Sequence, residues 1–204
     1  MSNRNSHASK GKMTTRALAY CALLAALSVV FARLIVPMPN ASTRFSIEAV
    51  PIFIAGMLFG PMAGGIVGFT ADLVGCLFSG FGYNPIFCIP PILYGVAAGL
   101  FRRFIGGKAG AVNILRLAVA FLVPVVLGSI LYQSASLSLI YTKEGGYAAT
   151  LAYFLTSRSI QFAITMVIDV VIIYFLFRTG MFNKLGVWPP KARRNAAAEK
   201  EKNS

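Results

Sequence analysis

The side chains that stand out for chemistry are Asp72 and Asp169, each deep in an apolar run, and Arg158 with Gln161 early in the last such run. A carboxylate at mid-bilayer costs about 2.5 to 3.5 kcal/mol on insertion scales, so each acid needs a partner or water. Offsets of three and eleven residues bring Arg158, Gln161 and Asp169 to nearly one helix azimuth. Asp169 nevertheless lies about 16 Å farther along the axis than Arg158, too far for both to hold one small group. Alone, Arg158 reads as a cation snorkelling to the interface and Arg44 as a solvated loop residue. Together with Gln161 and with Phe45, Tyr83, Phe87 and Tyr94, they compose a pocket for a flat anionic molecule. Aromatic rings would stack on it while guanidinium groups pair with its carboxylates.

Nothing in the chain spells out bond-making chemistry. There is no GxxxxGK[ST], HExxH or GxSxG, so the sequence reads as a non-enzyme. Cys21, Cys76 and Cys88 sit in apolar segments without a CxxC pair, and the single histidine, His7, lies in a polar leader. Buried apolar thiols, with no metal and no cofactor, are the expected reading. Uphill transport would draw its energy from a partner or an ion gradient. A stand-alone ion-coupled carrier would use Asp72 and Asp169 for the ion, although no half-to-half repeat is evident. A non-transporting scaffold is a third possibility, resting on small-residue stripes and a basic tail alone.

The elements that position these groups are membrane spans. Of 204 residues, 57% are hydrophobic and 12% charged, whereas a soluble domain carries about 25% charged residues. The apolar runs are Ala17 to Val36, Ile47 to Phe59, Pro61 to Ser79, Pro85 to Phe104, Asn113 to Tyr141 and Thr150 to Phe177. They predict an all-α integral membrane protein, a bundle of six transmembrane helices. The first run has the length of a span rather than of a signal-peptide core. Residues 1–15 form a basic leader, 16–179 the membrane domain and 180–204 a basic tail expected to be disordered or loosely helical. The net charge of +13 would point to nucleic acid in a soluble protein; here it reads as topology, with no nucleic-acid partner. Fifteen of the nineteen Lys and Arg fall on the side holding both termini. The positive-inside rule makes that side cytoplasmic and turns the loops with Arg44, Tyr83 and Lys143 outward.

Small residues recur at helical spacing: Gly60, Gly64, Gly68, Asp72 and Cys76 in the third span, Gly95 and Gly99 in the fourth. Such stripes allow close backbone approach. Ala22 and Ala26, with Ala19 and Ala25 beside them, give the first span a similar face for internal packing or an outside partner.

Several stretches carry a resemblance: Ala22-Leu23-Leu24-Ala25-Ala26, Arg44-Phe45-Ser46 to Pro51, Gly56 to Pro61, Gly68 to Gly75 around Asp72, Gly82-Tyr83-Asn84-Pro85 and Arg158-Ser159-Ile160-Gln161. Across roughly Arg16 to Phe177 the chain resembles the substrate-binding S components of energy-coupling factor (ECF) vitamin transporters, and among them the folate family. S components for pantothenate or a queuosine precursor share the scaffold. The resemblance implies capture of folate outside the cell and docking on a module of one transmembrane coupling protein and two cytoplasmic ATPases. ATP-driven toppling in the cell membrane then delivers the vitamin inward. It also makes Ala22 and Ala26 docking candidates, Arg44 and Arg158 partners for carboxylate or pterin acceptors, Gln161 a hydrogen-bonding group, and Tyr83, Phe45 or Phe87 stacking groups. Asp169 departs from the expected pattern and has no assigned role.

Overall fold

The computed structural model describes residues 15–33, 36–37, 44–45, 47–78, 84–106, 112–141 and 146–188. The basic leader up to residue 14, Tyr83, Lys143 and the tail from 189 onward lie outside them.

Apart from one pair of two-residue strands, the elements of the described residues are helices: α1 (Thr15–Arg33), α2 (Ala49–Phe59), α3 (Pro61–Leu77), α4 (Ile89–Ile105), α5 (Ile114–Pro124), α6 (Gln133–Ile140), α7 (Gly146–Arg178) and the single turn α8 (Met181–Lys184). Among the described residues four stretches are long and apolar enough to cross a membrane: α1, the 3-10 turn Pro85–Cys88 with α4, α5 through α6, and α7. With the shorter α2 and α3 they account for the six apolar runs. The multi-pass membrane fold is therefore as expected.

Val36, the end of the first apolar run, and Pro37 (β1) pair antiparallel with Arg44–Phe45 (β2), Val36 opposite Phe45 and Pro37 opposite Arg44. This clasp joins the end of α1 to the start of α2. The two helices also meet where the Ser28 hydroxyl donates to the Glu48 carbonyl at 2.8 Å and where Tyr20 stacks on Phe59 at 6.2 Å.

The Gly60-Pro61 break is a corner. Gly60 adopts φ 102° and ψ 177°, a region that essentially only glycine enters. Its N–H closes α2 on the Gly56 carbonyl at 2.9 Å while its carbonyl accepts from Gly64 at 3.0 Å, opening α3. Pro61 costs nothing at the first helical position, where an N–H has no partner. Gly60→Ala should destabilise the protein by about 1 to 3 kcal/mol, read as a lowered unfolding transition in detergent; an unmoved transition would contradict this geometry.

The glycine stripes meet each other. A Cβ on Gly64 would strike the Gly95 carbonyl, one on Gly68 the Pro91 carbonyl and one on Gly99 the Pro61 nitrogen. The pairs 61 with 99, 64 with 95 and 68 with 91 run in opposite directions, so α3 and α4 are antiparallel with backbones in contact. Gly56 on α2 closes on Gly95 as well. Without a hydrophobic drive between helices in lipid, this close packing is what binds them.

Prolines shape the other helices. Pro90 and Pro91 lie in the first turn of α4, where missing N–H groups cost least. Ahead of them, Asn84 accepts from the Ile86 N–H at 3.1 Å and caps the 3-10 turn. Pro124 ends α5, and Val125–Tyr132 winds as a π-helix, with the Gln133 N–H donating to the Gly128 carbonyl. Proline removes one rung and crowds the carbonyl four residues back, so the chain widens before α6 resumes the ordinary pitch.

The chain beyond Thr179 is more ordered than expected. Gly180, at φ 70°, reverses the direction, and Phe182 and Trp188 pack on Phe177 with ring centroids 4.7 Å and 5.2 Å away. Trp188 is only 2% exposed. The packed body thus extends past the expected boundary at residue 179, because burying two aromatic rings outweighs the entropy of ordering one turn.

Candidate functional site

One cavity of about 140 Å³ lies toward the end of the bundle where α2 and α4 begin. From the start of α2 come Glu48, Ala49 and Ile52; from α3, Asp72; from the 3-10 turn and the first turns of α4, Phe87, Pro90, Pro91 and Tyr94. The π-helix and its end contribute Ser129 and Gln133, and α7 contributes Phe162, Thr165 and Asp169. The basic groups Arg102, Arg103 and Arg116 cluster at the opposite end, where the Arg116 guanidinium reaches the Phe104 carbonyl at 3.5 Å.

The local folding of each element delivers its side chains. Prolines at the head of α4 leave Tyr94 one turn into the membrane, where its hydroxyl and that of Ser129 share a buried 2.9 Å hydrogen bond. Beneath it, Tyr94, Phe121 and Phe53 form a run of tilted rings with centroids 5.3 Å and 4.8 Å apart. The π-helix that Pro124 starts carries Ser129 and ends at Gln133, so the irregular turn is what lines the cavity; such turns often sit at functional sites. On α7, Phe162, Thr165 and Asp169 follow at offsets of three and seven, one face of a helix.

The charge of the cavity differs from the sequence expectation. Three of the chain's six acidic residues line it, Glu48, Asp72 and Asp169, and among the described residues no Lys or Arg does. Asp169 is 2% exposed, and its Oδ1 is buried without a hydrogen-bond partner, as is Oδ2 of Asp72. The Asp72 side chain is hydrogen-bonded to Cys88. The expected pocket between two cations is therefore, among the described residues, an acid-lined cavity with a cation at its margin. Arg158 is that cation: its Nη1 donates to Gln133 Oε1 at 2.9 Å, and its guanidinium carbon stands 5.9 Å from the Phe162 ring centre. It touches two lining residues and lies one helical turn beyond Phe162.

Of the residues expected at the site, Phe87 and Tyr94 line the cavity. Gln161 is buried but does not; its main-chain carbonyl accepts from the Thr165 hydroxyl at 3.0 Å. Arg44 and Phe45 have backbone in β2, at the entrance to α2. Sequence reasoning missed Glu48, Ser129, Gln133, Phe162 and Thr165. The signal lay in the spacing of polar groups within apolar runs, Ser129 with Gln133 and Thr165 with Asp169.

Ala22 and Ala26 are exposed on α1, whereas Cys21, Ala25 and Ser28 face inward. Internal packing does not use the Ala22 and Ala26 face. Cys21, Cys76 and Cys88 are unbridged.

A family model described as the S component of an ECF-type riboflavin transporter matches residues 12–178. The folate transporter FolT of Clostridium novyi (strain NT) is 28% identical over 177 residues, covering 86% of this chain and 95% of that protein. A crystal structure of FolT bound with folic acid superposes with a TM-score of 0.64 at 30% identity, over 80% of this chain and 93% of that one.

Proposed function

The chain belongs to the family of ECF-type riboflavin transporter S components, substrate-binding membrane subunits rather than enzymes, and on that premise we propose that its own substrate is folate. The family description names riboflavin and the two similar proteins name folate; the arrangement along α7 favours folate. Asp169 stands at the deep end, Phe162 and Thr165 line the middle, and Arg158 sits at the margin, about 16 Å from Asp169 at 1.5 Å per residue. Folate has the matching order: a hydrogen-bond-donating pterin, a benzene ring, and a glutamate with two carboxylates. Riboflavin has no carboxylate for Arg158 to meet, and a queuosine-precursor base has none either.

The cavity is smaller than the roughly 300 to 1,000 Å³ that encloses a drug-sized ligand. It takes the pterin, while the glutamate extends toward Arg158. Phe87 and Tyr94 flank the rings. The cavity lies at the end opposite Arg102, Arg103 and Arg116, and the positive-inside rule turns it outward with both termini cytoplasmic. Capture then occurs outside the cell. Docking through Ala22 and Ala26 on a coupling protein with two ATPases lets ATP-driven toppling deliver the vitamin inward.

Calorimetric titration of the purified protein with folate, riboflavin, pantothenate and a queuine-like base should give tight binding to folate alone; no tight binding of folate sinks the assignment. Arg158→Ala should weaken folate by about 2 to 5 kcal/mol, the scale for truncating one partner of a buried charge pair, and leave pterin, which has no glutamate, unaffected. Equal losses for both ligands would make Arg158 a support for Gln133 instead.

A further inference from the structure

We propose that Asp169 is the specificity-determining residue of the cavity: its carboxylate accepts the paired N–H groups of a 2-amino-4-oxopyrimidine edge and so selects pterins against flavins. The inference rests on the folate reading and deepens it.

The observation behind it is an acceptor with nothing to accept from. Asp169 is almost wholly enclosed, lines the cavity, and keeps Oδ1 free of any protein hydrogen bond. Removing a carboxylate from water costs several kcal/mol, and only well-placed donors repay it. The neighbouring polar groups are otherwise engaged. Thr165 donates to Gln161, Tyr94 and Ser129 bond each other, and Gln133 accepts from Arg158. Of the other two lining carboxylates, Glu48 is exposed and Asp72 is only half-buried and shares Cys88.

The chemistry of the edge decides which ring this acceptor takes. In a pterin, the ring N3–H and one N–H of the 2-amino group point the same way, as two N–H groups of a guanidinium do. That pattern matches both oxygens of a carboxylate, the bidentate arrangement that is strongest and most directional. In a flavin the corresponding N3–H lies between two carbonyls. A carboxylate would then face one donor and one acceptor, leaving like partial charges opposed and a buried oxygen unpaired. Sites built to hydrogen-bond a group reject the analogue lacking it by about 10⁴ to 10⁵ in favourable cases.

Two commercially simple rings isolate the effect, since pterin and lumazine differ only by an amino group against an oxygen at C2. The intact protein should bind pterin on the order of 100-fold or more tighter than lumazine, a threshold set below those favourable cases. Asp169→Asn, whose amide both donates and accepts, should reduce the ratio to less than about tenfold. Asp72→Asn should retain the preference. Because Asp169→Asn replaces a buried carboxyl whose Oδ1 has no protein partner, its ligand-free unfolding transition should be unchanged or higher, which separates lost recognition from lost fold. Equal affinity of the intact protein for the two rings, no pterin binding at millimolar concentration, an undiminished ratio in Asp169→Asn, or its collapse in Asp72→Asn instead would each overturn the assignment. Failure of folate to bind while pterin is still preferred would sink the folate reading and leave Asp169 as the selector. Tight folate with no preference between the rings would do the reverse.

Discussion

Gly95→Leu should yield no folded protein, seen as loss of the monodisperse peak on size exclusion and of any cooperative thermal transition. A Cβ at this position would run into the Gly64 carbonyl carbon and oxygen, backbone atoms of the facing helix that cannot rotate aside as a side chain can. Overpacking a core with side-chain neighbours costs typically about 1 to 3 kcal/mol. Here α3 and α4 must separate, and the contacts of Gly56 with Gly95, Gly68 with Pro91 and Gly99 with Pro61 open along with them. In lipid nothing replaces that loss, since apolar side chains gain little by preferring each other to acyl chains. Gly75→Leu is the matched control. It lies on α3, the helix that faces Gly95, and its added Cβ meets nothing within 4 Å, so the protein should fold as before. A normal transition in Gly95→Leu would mean that the two backbones are not in contact.

That interface was legible in the sequence, and the cavity was legible only in part. Glycine at four-residue spacing on two successive runs admits few readings besides close packing, and Gly60-Pro61 marks a corner because each residue is suited to one side of it. Pro90-Pro91 announces a helix start for the same kind of reason. Periodicity also placed Arg158, Gln161 and Asp169 on nearly one face of α7. What a repeat of 3.6 residues does not convey is which helices converge on that face. The meeting of Asp72 from α3 with Asp169 from α7 and Glu48 before α2 depends on the antiparallel register of the glycine stripes and on the widened turn after Pro124. An isolated acid in an apolar run therefore looked like a liability without a role, while the arginines drew the weight. The order of Phe182 and Trp188 escaped for a different reason: composition averaged over a charged tail hides two aromatic rings at its beginning.

Ala26→Arg should abolish vitamin uptake in cells or proteoliposomes that contain the whole transporter, while the purified subunit still binds its ligand. S components associate with an ECF module, and on this chain α1 is the least enclosed of the four long helices. Its inward face is Cys21, Ala25 and Ser28, the last fastened to Glu48. Its opposite face carries Ala22 and Ala26 between the exposed Leu18, Leu23, Leu27 and Val30. Small residues between larger apolar ones give a shallow groove into which a second helix can lay its ridge at close range. An arginine there fills the groove and brings a charge that must be desolvated. The cavity is formed by α2, α3, α4, the π-helix and α7 and contains no residue of α1, so ligand binding should survive. Charge alone adds about 2.5 to 3.5 kcal/mol to insertion of a helix centre, and Ala26→Leu removes that ambiguity. Leucine is welcome in lipid yet too large for the groove, so it should also lower uptake, by about tenfold for a loss near 1.4 kcal/mol of docking energy, with expression and binding unchanged. Full uptake in both variants would mean that α1 faces lipid and the module grips another surface. Lost binding in Ala26→Leu would return that face to the interior of the bundle.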